Sequence, residues 1–254
     1  TRILAAAGTP CIPVCAGSPA SLTHRLAERD GAALYLSGRP LDSQEPAEAE
    51  AIQGEHGVDL IRRLCADGET AVITIGAMTN LAVALTMEPM LRRTIPRVIS
   101  MAGAFGLGTA EWNIRCDPVA ATVVLSSGAP VDMVPFDVTQ NVVLSLQETS
   151  SLSSSQWALQ RVLGGLIEVW RVAHPEWSNG GRPTLHDPLA VIAAFQPDLF
   201  RWETGRISVE LAGDLTYGYT TFTPDAAGPH RVARSVDRKS AVDLFLERVT
   251  SYGG

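Results

Sequence analysis

The chain has 254 residues, of which 46% are hydrophobic and 19% are charged, a composition typical of a globular protein with one substantial core. Its 20 basic and 27 acidic residues give a formal net charge of −7 without basic runs, which argues against a nucleic-acid partner. No segment approaches the roughly 20 consecutive apolar residues of a membrane span, so we expect no membrane partner.

Strands alternate with helices along the chain, the pattern of stacked βαβ units. Residues 1–7 predict the tail of a helix that ends near Gly8, and a short strand follows at 11–15. The stretch 37–56 is rich in Ser, Gly, Pro and acidic residues, which predicts a surface loop or lid. Further strands are predicted at 71–75, 97–101 and 131–134. Helices are predicted at 57–66, 80–87, 118–126, 157–172, 188–195 and 239–251.

The pattern changes after His186. Alternating stretches at 206–211, 217–223 and 231–236 predict a small antiparallel extension. We therefore predict an α/β fold: an open, mostly parallel, doubly wound sheet with helices on both faces and a small antiparallel extension near the C-terminus.

The four cysteines lack the paired spacing of a metal site. Cys11 and Cys15 flank the first predicted strand, where they share a face without meeting. Free thiols in a reducing compartment fit best, and no signal-peptide pattern opens the sequence. We therefore expect a soluble cytoplasmic protein.

Three strand-to-helix corners carry most of the polar chemistry, and they lie at 76–80, 113–118 and 185–188. Ligands of open α/β folds bind at the carboxyl ends of the strands, where such corners meet. Each corner also has a simpler interpretation, because Asp and Asn are preferred N-caps and Pro favours the first helical position. Asn80, Asp117 and Asp187 would then only begin helices.

Capping does not account for all of these residues. His186 stands beside Asp187, although a single histidine is more often structural than catalytic. Glu111 and Asn113 flank Trp112 after a glycine-rich loop, and we expect this pair to lie outside a helix. Two polar side chains beside an aromatic ring at the edge of a sheet could bind a polyol through its hydroxyl groups.

Four motifs occur in the order seen in nucleoside hydrolases. They are Gly-Ala-Met-Thr-Asn-Leu-Ala at 76–82, Ala-Glu-Trp-Asn at 110–113, Asp-Pro at 117–118 and Leu-His-Asp-Pro-Leu at 185–189. The chain resembles a nucleoside N-ribohydrolase from its first residue to its C-terminus. The resemblance implies hydrolysis of the N-glycosidic bond of ribonucleosides to ribose and free base, in purine or pyrimidine salvage, by a homodimer or homotetramer.

The resemblance also implies one Ca²⁺ at the carboxyl edge of the sheet, where a metal-bound water would be the nucleophile. Thr79 resembles the position whose backbone carbonyl binds the metal, and Asp187 resembles the carboxylate that ligates it. Both are hard oxygen donors, as Ca²⁺ requires.

The remaining implied roles concern the substrate. Glu111 and Asn113 match the pair that hydrogen-bonds the ribose hydroxyls, and Trp112 stands where an aromatic lies near the sugar. His186 matches the histidine close to the leaving base and is the candidate catalytic residue. His174, near the end of the long predicted helix, is a candidate base contact.

The sequence departs from the family at one decisive place. The family's Asp-Thr-Asp-Pro-Gly cluster, followed by Asp-Asp, is absent from residues 1–254. That cluster supplies the catalytic base and most metal carboxylates, whereas Ca²⁺ prefers roughly 6 to 8 oxygens. We therefore expect the complete protein to bind Ca²⁺, and this segment to bind it weakly or not at all. We also expect residues 1–254 to form a single nucleoside-hydrolase-like domain that lacks its first βα unit.

Two smaller departures concern the substrate. The loop 103–110 lacks the asparagine that many members place before the Glu-aromatic-Asn triplet, and no second histidine occupies its usual place near residues 28–31. Two functions remain open: a Ca²⁺-dependent nucleoside hydrolase, or a non-catalytic module that binds ribose or a nucleoside.

Overall fold

A computed structural model describes residues 3–4, 7–9, 11–23, 52–173 and 182–251 of the chain. Its strands are β1 Val14–Cys15, β2 Ile52–Gln53, β3 Val72–Thr74, β4 Val98–Met101, β5 Val131–Val134, β6 Phe200–Val209, β7 Thr220–Pro224 and β8 His230–Val236. Six of them form one sheet in the order β3-β4-β5-β8-β6-β7, and β1 and β2 form a separate parallel pair.

The six-stranded sheet is mixed but mostly parallel. β3, β4, β5 and β8 run parallel, whereas β6 is antiparallel to both β8 and β7. The predicted α/β class with a small antiparallel part is confirmed. The stretch 231–236 has a larger role than predicted, because β8 joins the two parts of the sheet by pairing with β5 on one side and β6 on the other.

The helices flank these strands. They are α1 Gly57–Leu64, α2 Thr79–Met87, α3 Leu91–Thr94, α4 Trp112–Cys116, α5 Pro118–Ser126, α6 Phe136–Thr139, α7 Leu146–Ser153, α8 Ala158–Ala173, α9 His186–Phe195 and α10 Arg238–Ser251. All six helices predicted from residue 57 onward are present: the one at 118–126 has the predicted ends, and the other five have slightly shifted ends. The short α3, α4, α6 and α7 were not predicted, since helices of one or two turns carry little apolar periodicity.

Two apolar clusters cover the two faces of the sheet. Val98 and Val131 pack with residues of α2 and α5 on one face, and Ile99 and Val134 pack with residues of α9 and α10 on the other. Successive strand residues point to opposite faces, so β4 and β5 are buried throughout. The doubly wound arrangement follows from these continuous apolar strands.

The ends of the chain and the first loop are only partly described. The strand predicted at 11–15 comprises Val14–Cys15, since residues 11–13 form a turn and a bend. Most of the predicted loop at 37–56 lies outside the described residues, and so does most of the helix tail at 1–7. Among the residues described, no helix has the length and apolarity needed to cross a membrane.

Candidate active site

The chain leaves β3, β4 and β5 at the same edge of the sheet, and the polar residues singled out from the sequence follow these strands. α2 begins after β3, α4 after β4 and α6 after β5. Helix α9 packs against all three strands and brings its N-terminus, His186 and Asp187, to this part of the molecule. The carboxyl edge is where ligands of open α/β folds bind.

Glu111 is the N-cap of α4, which corrects the expectation that Glu111 and Asn113 lie outside a helix. Its Oε1 accepts the backbone N–H of Asn113 at 2.9 Å. Its Oε2 accepts the N–H groups of Ile114 and Gly103, both at 3.1 Å. Three bonds leave room for about one more on a carboxylate with roughly four acceptor sites. Glu111 is 5% exposed, so this acceptor is held rigidly.

Burial raises the pKa of Glu111 above its ordinary value, because a charged carboxylate loses its hydration there. The three backbone hydrogen bonds act in the opposite direction, and the nearby negative charge of Asp187 raises the pKa further. Glu111, which follows β4, and Asp187, in the first turn of α9, therefore influence each other through their charges.

Asn113 lies in the first turn of α4 and is half-buried. Its Nδ2 donates to the Met101 carbonyl at 2.9 Å, which fixes the amide against the end of β4. The side-chain oxygen Oδ1 is the remaining acceptor of this amide. Trp112, the first residue of α4, is 37% exposed.

The conformation of Gly103 and hydrogen bonds with Asp137 and Thr220 fix the glycine-rich loop after β4. Gly103 has a φ of 84°, and a Cβ there would lie 2.8 Å from the Met133 sulfur, so only glycine fits. Asp137 accepts the N–H of Phe105 at 2.9 Å and of Gly106 at 2.7 Å. The hydroxyl of Thr220 both accepts from and donates to the backbone of the same loop, at Ala104.

His186 is held by two residues of α6. Its Nδ1 lies 2.8 Å from the Thr139 hydroxyl oxygen. Its ring stacks on Phe136 with 5.4 Å between centroids and 15° between planes. Burial lowers the pKa of His186, since the charged imidazolium loses hydration there.

Asp187, the second residue of α9, is half-buried. Burial raises the pKa of its carboxyl. The interpretation of Asp187 as a simple N-cap is wrong, because the N-cap of α9 is Leu185 and Asp187 lies inside the first turn.

Asp117 does have the capping role considered for it. Its Oδ1 accepts the Ala120 N–H at 3.0 Å and so caps α5. Its Oδ2 accepts the Thr79 hydroxyl at 2.6 Å and the Leu22 N–H at 2.8 Å. Asp117 is fully buried and therefore joins the starts of α2 and α5 to the segment that follows β1.

Asn80 anchors the same segment and is not the N-cap of α2, which is Met78. Its Oδ1 accepts the Ser18 N–H at 2.8 Å. A Cβ on Gly17 would lie 2.4 Å from the Asn80 amide nitrogen, so the backbone approaches this side chain closely.

The residues present do not amount to a calcium site. Asp187 and the Thr79 carbonyl are the two oxygen donors that the sequence offers, against the roughly 6 to 8 that Ca²⁺ prefers. Over 52–173, 182–251 and the shorter described segments, no group of three or more His, Cys, Asp or Glu side chains could hold a metal ion.

His174 falls among residues 174–181, outside the described part of the chain, and its role stays a prediction. Asp137, Thr139 and Thr220 are further polar residues of this edge that the sequence motifs do not include. Asp137 and Thr139 follow β5 directly, as the other polar corners follow their strands, so the position of this corner was an available signal.

The chain is similar in structure to solved nucleoside hydrolases. The chain superposes on the purine-preferring ribonucleoside hydrolase from Gardnerella vaginalis with a TM-score of 0.85 and 26% identity, covering 99% of this chain and 84% of that one. Against the plant nucleoside hydrolase PpNRh1 the TM-score is 0.81 at 26% identity, covering 97% of this chain and 83% of that chain.

The sequence comparisons agree with the fold. The model of the inosine-uridine preferring nucleoside hydrolase family matches residues 1–243, and the chain belongs to this family of glycosidases. The pyrimidine-specific ribonucleoside hydrolase RihA of Citrobacter koseri is 30% identical over 99% of this chain and 83% of its own length. The RihA of an Escherichia coli strain is also 30% identical, over 99% of this chain and 84% of its own length.

Proposed function

We propose that this protein hydrolyses the N-glycosidic bond of ribonucleosides to ribose and free base, and that the site at the carboxyl edge holds the sugar and the base. The observation that carries the proposal is that Glu111, which follows β4, and Asp187, beside the His186 that bonds Thr139 after β5, lie at the same carboxyl edge of the sheet. They come from different elements, yet the charge of Asp187 raises the pKa of Glu111. Perturbed titratable groups at a sheet edge are typical of catalytic sites.

The sugar would be held by Glu111 and Asn113. Glu111 has about one free acceptor position, and Asn113 has the oxygen of an amide fixed by Met101. Both groups are in place before any ligand binds, so they lose little freedom on binding a pair of ribose hydroxyls. Trp112 would contribute its exposed ring beside the sugar.

The departing base would be assisted by His186. Cleavage between C1′ and nitrogen passes through an oxocarbenium-like sugar, and negative charge builds on the base as it leaves. The imidazole is fixed through Nδ1 and by stacking on Phe136, which leaves Nε2 as the nitrogen to meet the base. His174 would be a further contact to the base.

Activation of the attacking water is not assigned to residues 1–254, because the acidic cluster of the family is not among them. We assign that step, and the dependence on Ca²⁺ through Thr79 and Asp187, to a polypeptide that also carries the first βα unit.

A release assay tests the proposed function. Two proteins of verified intact mass are compared: residues 1–254, and a longer protein that also carries the family's acidic first βα unit. Each is incubated with inosine and uridine, and the released ribose is measured as reducing sugar. We expect release from the longer protein and its loss in EDTA. No release by the longer protein from either nucleoside would contradict the proposal.

The alternative function, a ribose- or nucleoside-binding module without hydrolysis, gives a different result. Calorimetry would then show binding to residues 1–254 without Ca²⁺ and without ribose release. Asn113→Ala is the suitable variant, since Glu111 also caps α4 and its replacement by Ala would disturb the fold.

The assembly and cellular setting belong to the same proposal. Four free cysteines support a reducing, cytoplasmic setting. Phe195 and Leu215 are 74% and 92% exposed, which supports a homodimer or homotetramer that covers apolar surface. Light scattering of the purified protein measures its mass in solution.

A further inference from the structure

We propose that Thr139 is a positioning residue for His186: its hydroxyl accepts the Nδ1–H of the imidazole, donates to the Phe136 carbonyl, and so presents Nε2 to the leaving base. The assignment of a leaving base rests on the proposed function. The hydrogen-bond geometry does not, and it can be measured separately.

Thr139 is fully buried at the end of α6, and its hydroxyl has two neighbours. The shorter contact is 2.8 Å to Nδ1 of His186, and the longer is 3.5 Å to the Phe136 carbonyl oxygen. A threonine hydroxyl carries one hydrogen and two acceptor lone pairs, so it can make both contacts at once.

Only one direction of the short bond satisfies both contacts. If the hydroxyl donated to Nδ1, it would have no hydrogen left for the Phe136 carbonyl. If Nδ1–H donates to the hydroxyl oxygen, the hydroxyl hydrogen is free to follow the usual bond of a helical threonine to the carbonyl three residues earlier. The Phe136 carbonyl also accepts the Gln140 N–H at 3.1 Å, so the preferred direction rests on the number of hydrogen bonds that the hydroxyl makes: two if it accepts the Nδ1–H, and one if it donates to Nδ1.

The bond determines which ring nitrogen carries the proton. A neutral imidazole carries one proton, on either Nδ1 or Nε2. Because Nδ1 donates a hydrogen bond to Thr139, the proton is on Nδ1 and Nε2 has none. Phe136 prevents the ring from turning away, because the two rings are stacked.

The experiment is nitrogen-15 NMR of histidine-labelled protein at about pH 8, well above the ordinary histidine pKa of about 6.5. His186→Gln identifies its signal among the five histidines. We expect the wild type to show a protonated Nδ1 and an unprotonated Nε2. Thr139→Val, which keeps the shape but removes the hydroxyl, should shift the ring toward Nε2–H, and Thr139→Ser should restore the wild-type pattern.

Kinetics of the active protein provide the second measurement. Thr139→Val should lower kcat roughly three- to tenfold with little change in KM, as expected for one lost hydrogen bond. Thr122→Val is the matched control, since the Thr122 hydroxyl bonds the Pro118 carbonyl on α5 at 2.9 Å, and it should change neither measurement.

The outcomes separate the two proposals. An Nε2–H ring in the wild type, or an Nδ1–H ring that persists in Thr139→Val, would overturn the role of Thr139 whether or not the protein is active. The protein could instead show an Nδ1–H ring that is lost in Thr139→Val and restored in Thr139→Ser, yet have no hydrolase activity. That result would support the positioning role of Thr139 and contradict only the proposed function.

Discussion

Asn113 and Glu111 differ in how much hydrogen-bonding capacity they retain for a ligand. Glu111 uses three of its acceptor positions to hold backbone N–H groups, so it is mainly a structural anchor with limited capacity for a ligand. Asn113 spends one amide hydrogen on the Met101 carbonyl and keeps its oxygen. Of the two, Asn113 is therefore the better residue on which to test sugar binding.

We predict that Asn113→Ala raises KM for a ribonucleoside, or Kd for ribose, by roughly tenfold, the effect of one lost hydrogen bond of about 1.4 kcal/mol. Asn141→Ala is the control, because the exposed Asn141 amide also donates to a backbone carbonyl, that of Asp137. Calorimetry and steady-state kinetics measure the two variants. Equal affinities for Asn113→Ala and wild type would remove Asn113 from the sugar site.

At the scale of elements, Asp117 links helix starts that are distant in sequence. One carboxylate caps α5, accepts the Thr79 hydroxyl at the start of α2 and accepts the Leu22 N–H. The position of Thr79 thus depends on a residue 38 positions later in the chain. The capping preference predicts the first of these bonds, while the other two depend on the packing of α2 and α5.

We predict that Asp117→Ala lowers the free energy of unfolding by about 3 kcal/mol, since it removes a cap and leaves buried donors unsatisfied. Asp237→Ala should cost only about 1 kcal/mol, because Asp237 begins α10 at the surface and its carboxylate bonds groups of the first turn, among them the N–H and hydroxyl of Ser240. Urea unfolding of both variants gives the comparison. Equal losses would show that Asp117 acts as a cap alone.

At the scale of the whole molecule, His230 connects the sheet to a helix layer. It begins β8, is 2% exposed, and its Nε2 lies 3.1 Å from the Leu125 carbonyl of α5. Its Nδ1 is buried without a hydrogen-bond partner in the described structure. A charged ring would carry a hydrogen there with no acceptor, and burial lowers the pKa of His230.

A lowered histidine pKa means that the stability due to the neutral ring is full above the ordinary pKa of about 6.5 and is lost as the pH falls toward the folded value. We therefore predict that lowering the pH from about 7 to about 5 destabilises the wild type relative to His230→Gln. His186 also favours loss of stability at low pH in both proteins, whereas the raised pKa values of Glu111 and Asp187 act in the opposite direction, so the difference between the two proteins isolates His230.

Urea unfolding at a series of pH values measures the slope of the unfolding free energy against pH. His56→Asn is the control, because His56 caps α1 through its side chain and Asn can replace that cap. It should retain more of the wild-type slope than His230→Gln does. The same slope in His230→Gln and wild type would contradict the role of burial at this position.

Much of the fold could be predicted from the sequence because its strongest signals are local. The apolar run at 71–75 and the strand at 97–101 are continuous, as strands covered on both faces must be, and the longer helices carry clear apolar periodicity. The short helix α4 could not be predicted, because it is held by the Glu111 carboxylate and the loop that Gly103 begins.

The sequence by itself determined the α/β class, the family resemblance and the polar corners that follow the parallel strands. Only the tertiary structure decided which corners meet and what each side chain contacts: His186 bonds Thr139, and the Thr79 hydroxyl bonds Asp117. The physical reason is that periodicity and capping act over a few residues, whereas these contacts join positions 38 and 47 residues apart through the packing of separate elements on one sheet.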